Sequence, residues 1–174
     1  MAEAPFPTSF GDGRERWNYL QEEYEMDINV KRAVFAGVVG TAVMTMIGLW
    51  MAPMMGMPRM NPAEMLAGAM GGSALLGWAG HFMIGIVLAV IYALVAPALA
   101  GPPALRGALY GIAPFLLAQI MVMPMMGMPV FSGSASMAMG SLVGHLIYGA
   151  VVGALYGSVG AEASSGARTA TAAS

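Results

Sequence analysis

Four long apolar stretches dominate the chain, and turn-forming residues separate them. A helix needs about 20 mostly apolar residues to cross a bilayer. Positions 33–52 meet that length without a charge. The next apolar region, 62–100, would make a helix of roughly 55 Å at 1.5 Å per residue, too long for a single span. It divides at Gly71-Gly72. Asn61-Pro62-Ala63-Glu64 has the order of a helix start: Asn as cap, Pro in the first turn, Glu three residues after the cap. It predicts a short helix that fades at the glycines, followed by a second span over 75–95. Pro97 and Gly101-Pro102-Pro103 close that span. A third span is predicted over 104–123, kinked at Pro114, and a fourth over 136–159. The fold class is therefore all-α integral membrane with four transmembrane helices.

The polar flanks read differently. Trp17, Leu20, Tyr24 and Ile28 share one helical face, with Glu22, Glu23 and Glu25 between them. That pattern predicts an amphipathic helix at the membrane surface, turned toward a protein partner because its acidity disfavours anionic lipid. Positions 161–174 are mostly Ala, Ser, Thr and Gly, which predicts no fixed structure.

Met54-Met55-Gly56-Met57-Pro58 recurs as Met125-Met126-Gly127-Met128-Pro129. The segments that lead into the two copies also start alike, at Arg32-Ala-Val-Phe-Ala-Gly37 and Arg106-Gly-Ala-Leu-Tyr-Gly111. The segments that follow carry the two histidines, at Gly80-His81 and Gly144-His145. The organisation expected is an N-terminal segment (1–32), two tandem helix-pair repeats (33–100 and 101–160) and a tail (161–174). Helix pairs inserted in the same sense are related by an axis along the membrane normal. In the Met-Gly-Met-Pro turn, Gly permits positive φ and Pro sets the exit direction.

Composition agrees with burial in lipid: 58% of residues are hydrophobic and 9% charged, against about 25% charged in soluble domains. Seven of the nine acids precede residue 30. The first 32 residues contain an acidic run and no apolar core, so no signal peptide is expected. Arg14, Arg16, Lys31, Arg32, Arg106 and Arg168 fall on the side of the termini, and Arg59 alone falls on the other. The excess places both termini in the cytoplasm and both MMGMP loops outside, in an inner membrane. No basic patch points to nucleic acid. Without cysteine, thiolate metal sites, iron–sulfur clusters, covalent haem and disulfides are excluded.

Small residues recur at four-residue intervals in the second span (Gly77, His81, Gly85, Ala89) and the fourth (Ser141, His145, Gly149, Gly153, Gly157). Such rows are helix-packing seams in membranes, so both histidines belong to a seam and not to the lipid face. These two spans are expected to pack on each other or on the first and third. An ionisable side chain inside a span is a candidate functional residue. Three explanations stand for the pair His81 and His145. One is neutral hydrogen bonding to Ser73, Ser141, Thr45 or Gln119. Another is ligation of a b-type haem. The third is a copper site completed by Met54, Met55, Met57, Met125, Met126 and Met128, whose thioethers are soft ligands for Cu(I). Methionine is also an adaptable packing residue, and packing accounts for the same clusters.

No Walker A, HExxH or GxSxG sequence is present, and Glu64 is explained by the helix start. An enzyme is not expected. In the MMGMP repeat and the two Gly-His positions the chain resembles small bacterial membrane proteins built on a duplicated, Met-rich helix pair. That resemblance covers residues 32–160 and brings no catalytic residues with it. The expected role is a non-catalytic accessory or stabilising subunit of a larger membrane complex, such as a respiratory one, in contact with lipid and with other subunits or its own copies. The alternatives are a copper(I)- or haem b-binding membrane protein and a small-solute pore or carrier.

Overall fold

The computed structural model describes residues 28–172, with side chains as far as Gly157. The amphipathic segment at Trp17, Leu20 and Tyr24 lies outside the described residues. Among the described residues every regular element is helical, and four helices are long and apolar enough to cross a membrane. They are α1 (Val30–Met54), α3 (Ala74–Ala98), α4 (Pro103–Met125) and the span Ala135–Gly157 of α5, while the short α2 (Pro62–Ala69) lies between α1 and α3. The protein is a multi-pass membrane protein whose apolar flanks meet lipid. Helix α5 is helical as far as Ala172, through most of the tail for which the composition predicts no fixed structure. Alanine has the highest helix propensity, and that tail is rich in it.

Local chemistry sets the helix starts. The Asn29 side chain accepts from the Arg32 amide at 3.0 Å. Asn61 accepts from the amides of Ala63 and Glu64 at 3.2 and 3.3 Å, with Pro62 in the first turn. Ser73 accepts from the Leu76 amide at 3.4 Å. Glu64 is an exposed first-turn residue of α2.

Helices α1 and α4 end in the same way. Each widens into a π-helical turn, at Ile47–Met51 and Ala118–Val122, before a last α turn at Ala52–Met54 and Met123–Met125. The cause is a proline just beyond the π turn, Pro53 in one helix and Pro124 in the other. Proline has no N–H and its ring strikes the carbonyl four residues back. Widening the turn to i→i+5 bonds, Ala52 N–H to Ile47 and Met123 N–H to Ala118, makes room for it. Helix α4 stays α-helical through Pro114, and its departure from α geometry falls at 118–122 instead of at that proline. Each end then closes with the amides of Met57 and Met128 on the carbonyls of Ala52 and Met123, at 2.9 and 3.0 Å. The intervening Gly56 and Gly127 have φ of 78° and 76°, which is why glycine occupies both places.

Backbone contact at glycines holds the helices together. A Cβ on Gly85 would overlap the Thr41 hydroxyl of α1, and one on Gly37 would lie 2.9 Å from the Ile86 Cα. Gly107 of α4 and Gly149 of α5 meet reciprocally, each occupying the space beneath the other's carbonyl oxygen. Gly153 and Gly157 face Pro103, and Gly77 faces Ala63 and Ala67 of α2. Thus α3 packs on α1 and α2, and α5 packs on α4. A further seam joins α1 to α5, where Gly40 lies under Tyr148 and Val152. The buried centre is Ala36, Ala89, Tyr92, Ala96, Tyr148 and Val152. Tyrosines tie spans by donating to main-chain oxygens: Tyr148 to Gly85, and Tyr110 to Leu88 at 2.8 Å. At the end near the termini Arg106 donates to the Ala96 and Leu99 carbonyls, at 3.2 and 3.4 Å. Arg32 donates to the Leu155 carbonyl there.

Candidate functional site

Beneath the two methionine-rich corners, the four spans part around a cavity of about 420 Å³. Its walls come from both π turns, from α3 and from the start of α5, and both histidines line it. Apart from the imidazoles and a few hydroxyl and amide groups, the lining is apolar, and it contains no Lys, Arg, Asp or Glu.

Each imidazole is fixed through one nitrogen. Nε2 of His81 lies 2.9 Å from the Thr45 hydroxyl, which itself donates to the Thr41 carbonyl at 2.7 Å. With its single proton spent, Thr45 must accept, so Nε2 of His81 carries the hydrogen. In the neutral ring Nδ1 then holds the lone pair. His145 is the other tautomer. Its Nδ1 lies 2.8 Å from the Ser141 carbonyl, which can only accept, so Nε2 holds the lone pair. Neither lone-pair nitrogen makes a hydrogen bond to a described residue. Neither is sealed, since Nε of Arg106 is the one fully buried side-chain polar atom without a partner among the described residues. Both rings line the cavity. His81 is 8% exposed, and His145, half-buried, has its ring edge-on to Phe115 at 5.9 Å.

A second polar set joins α4 to α5. The Gln119 side chain, in the π turn, donates to the Ser141 hydroxyl and accepts from the Ser132 hydroxyl, both at 3.0 Å. In the other π turn the Gly48 carbonyl accepts from the Met60 amide at 3.1 Å. The main-chain groups that a π turn leaves open are thus next to the contacts that pin the loops down.

Of the methionines singled out by sequence, Met55, Met57 and Met126 line the cavity with the histidines. Met54, Met125 and Met128 do not. Met54 and Met125 stand at the tips of the corners, 86% and 78% exposed. The cavity also gathers thioethers that the MMGMP repeat does not flag: Met44, Met51, Met60, Met65, Met123 and Met137. The sulfurs of Met57 and Met60 come within 3.7 and 3.6 Å of the Cβ direction of Gly140, and Met44 packs at Gly144. Glycine spacing at 140 and 144, one turn apart on the His145 helix, was the available signal for this. Of the hydrogen-bond partners proposed for the histidines, Thr45 and Ser141 are used, Gln119 reaches Ser141, and Ser73 is the α3 cap. The seam residues Gly77, Gly85, Ala89, Gly149 and Gly153 are buried, while Ser141 and Gly157 are half-buried. Among the described residues, no three His, Cys, Asp or Glu side chains come together as a metal-binding group.

No curated protein and no solved structure matches the chain. A family model does match it, over residues 28–166, which takes in all four spans, both corners and both histidines. On that match the chain belongs to the family of unknown function DUF6789.

Proposed function

We propose that this is a non-catalytic, ligand-holding membrane protein whose working part is the cavity under the methionine-rich corners. One observation carries the reading: two imidazoles, each with one nitrogen held by the protein and the other unused, line the same apolar space. A protein that used its histidines only to bridge helices would leave no reason for both rings, each with an unused lone pair, to line a common cavity. The lining offers no carboxylate, amine or guanidinium to pair with the imidazoles, and binding is the activity proposed for it.

The reading extends to organisation. Two tandem helix pairs, related about an axis along the membrane normal, are supported by the matching π turns, the matching corners and the matching histidines. The Arg and Lys distribution supports an inner membrane, with the termini in the cytoplasm and the cavity toward the outside. The test is native mass spectrometry, metal analysis and a visible spectrum on protein purified in mild detergent. A small molecule or ion retained by the wild type and lost on filling the cavity with Gly144→Leu supports the reading. A wild type that arrives and stays empty against metals and apolar probes refutes it.

A second reading, an accessory subunit of a larger membrane assembly, is favoured by the exposed thioethers at the tips of both corners. Methionine-rich surfaces adapt to a partner. Co-purification of stoichiometric chains, abolished by Met54→Glu with Met125→Glu, tests it. A monodisperse single chain from native membranes rules it out.

A further inference from the structure

We infer that the cavity binds one Cu(I) ion, held by Nδ1 of His81, Nε2 of His145 and thioether sulfur from Met44, Met57 or Met60. The inference rests on the ligand-holding reading above and names its ligand.

The tautomers restrict the occupant first. Both unbonded nitrogens hold lone pairs, because Thr45 and Ser141 take the hydrogens of the other two. A ligand that offers only acceptors, such as a carbonyl, finds no donor on either unbonded imidazole nitrogen. A Lewis acid finds two imidazoles already in the required tautomers. Ligating histidines characteristically donate their second N–H to a carbonyl or other oxygen, which fixes ring orientation and raises basicity. The Thr41–Thr45–His81 chain and the Ser141–His145 contact supply that support before any ion arrives.

The remaining ligands select the ion. Beside the imidazoles the cavity offers thioethers and no carboxylate or thiolate. A divalent ion of hard or borderline character would enter an apolar space without a compensating charge, which is costly at membrane depth. Cu(I) carries one charge and accepts nitrogen and neutral sulfur. The sulfurs lie on the His145 helix side: Met57 and Met60 converge over Gly140, and Met44 reaches from α1 to Gly144. Met44 is also the residue before Thr45, so the same turn of α1 that fixes His81 carries a thioether to the helix of His145. Haem fits less well. Its propionates would meet no Lys or Arg in the lining. The free nitrogen of His81 is also Nδ1, beside its own Cβ, where a porphyrin plane would strike the helix.

The test is anaerobic titration of detergent-purified, metal-stripped full chain with Cu(I) against bicinchoninate, followed by X-ray absorption spectroscopy. The expected result is one Cu(I) per chain with nitrogen and sulfur in its shell. Thr45→Val, which removes only the support, weakens binding about tenfold to a hundredfold. His81→Ala and His145→Ala weaken it more, at an unchanged elution profile. Met44→Leu, Met57→Leu and Met60→Leu together remove the sulfur signal and leave the nitrogen signal. Met54→Leu with Met125→Leu, at the tips, changes nothing. Failure to bind one equivalent, or wild-type affinity in the double histidine variant, overturns the inference. If Cu(I) does not bind but mass spectrometry finds an organic molecule displaced by Gly144→Leu, the copper assignment falls and the ligand-holding reading stands. If neither is found, both fall.

Discussion

The contact between Gly107 and Gly149 gives the sharpest test of how this bundle is held. In Gly149→Ala the new Cβ would overlap the Gly107 carbonyl oxygen and lie 3.1 Å from the Gly111 nitrogen. Both obstacles are backbone, so no side-chain rotation relieves them. Restoring an ordinary carbon–oxygen contact of about 3.3 Å moves the helices apart by roughly 1 Å. A gap of that size forfeits about a quarter to a half of each dispersion contact along the seam. Overpacking of this kind costs about 1–3 kcal/mol, and the upper half of that range is expected because the seam is backbone on backbone. Gly68→Ala is the control. Nothing lies within 4 Å of its Cβ position, so helix propensity alone acts, with a gain of up to about 1 kcal/mol. For a chain of this size 1 kcal/mol corresponds to about 2–4 °C. Thermal unfolding in detergent, followed by the native tryptophans, should show Gly149→Ala melting about 5 °C or more below wild type and Gly68→Ala at or above it. The pair Gly107→Ala and Gly149→Ala should be less than additive, because helices already parted by one methyl accept the second more cheaply. A Gly149→Ala protein that melts with the wild type, or a double variant that shows the full sum, refutes the close-contact argument.

Thr45→Val leaves the buried N–H of His81 without an acceptor and should destabilise by about 1–3 kcal/mol, measured by the same melts. Tyr148→Phe removes the bond to the Gly85 carbonyl between α5 and α3, with an expected loss of about 0.6 kcal/mol and no more than about 1.7. Because the chain has no cysteine, single-cysteine variants report orientation directly. Met125→Cys should react with a membrane-impermeant maleimide in intact cells and Pro102→Cys only after lysis, and the reverse pattern would invert the proposed topology.

What could be read from sequence divides along physical lines. Span lengths and helix starts are local, so Asn61, Pro62 and the break at Gly71-Gly72 disclosed α2 and α3 directly. The glycine rows disclosed that seams exist. They did not disclose their partners, since a stripe of small residues looks alike whichever helix fills it: Gly85 meets Thr41, whereas Gly149 meets Gly107. The π turns were not legible in the MMGMP repeat, because their cause is Pro53 and Pro124, the residues just before each copy. Runs of methionine were poor guides to the cavity for a geometric reason. Neighbours on a helix turn point about 100° apart, so Met54 and Met55 cannot both face inward.

If the two helix pairs are repeats, as proposed, the difference between them bears on function more than their likeness does. The π turns begin at Ile47 and Ala118, 71 positions apart, whereas the histidines at 81 and 145 are 64 apart. The first half therefore holds seven more residues between corner and histidine, and α2 lies in that interval. Helix α2 covers Gly77, while the corresponding part of α5 is left for Met57 and Met60 to pack on Gly140. At the π turns the correspondence pairs Gly48 with Gln119, so one half secures its loop by main chain and the other by an amide side chain. Thr45 corresponds to Leu116, and accordingly His81 is held from a neighbouring helix and His145 from its own. The outcome is opposite tautomers, with Nδ1 unbonded on one ring and Nε2 on the other. On the proposed duplication, a pair kept only for packing would have no need of one unbonded nitrogen per ring; a pair that shares a ligand would.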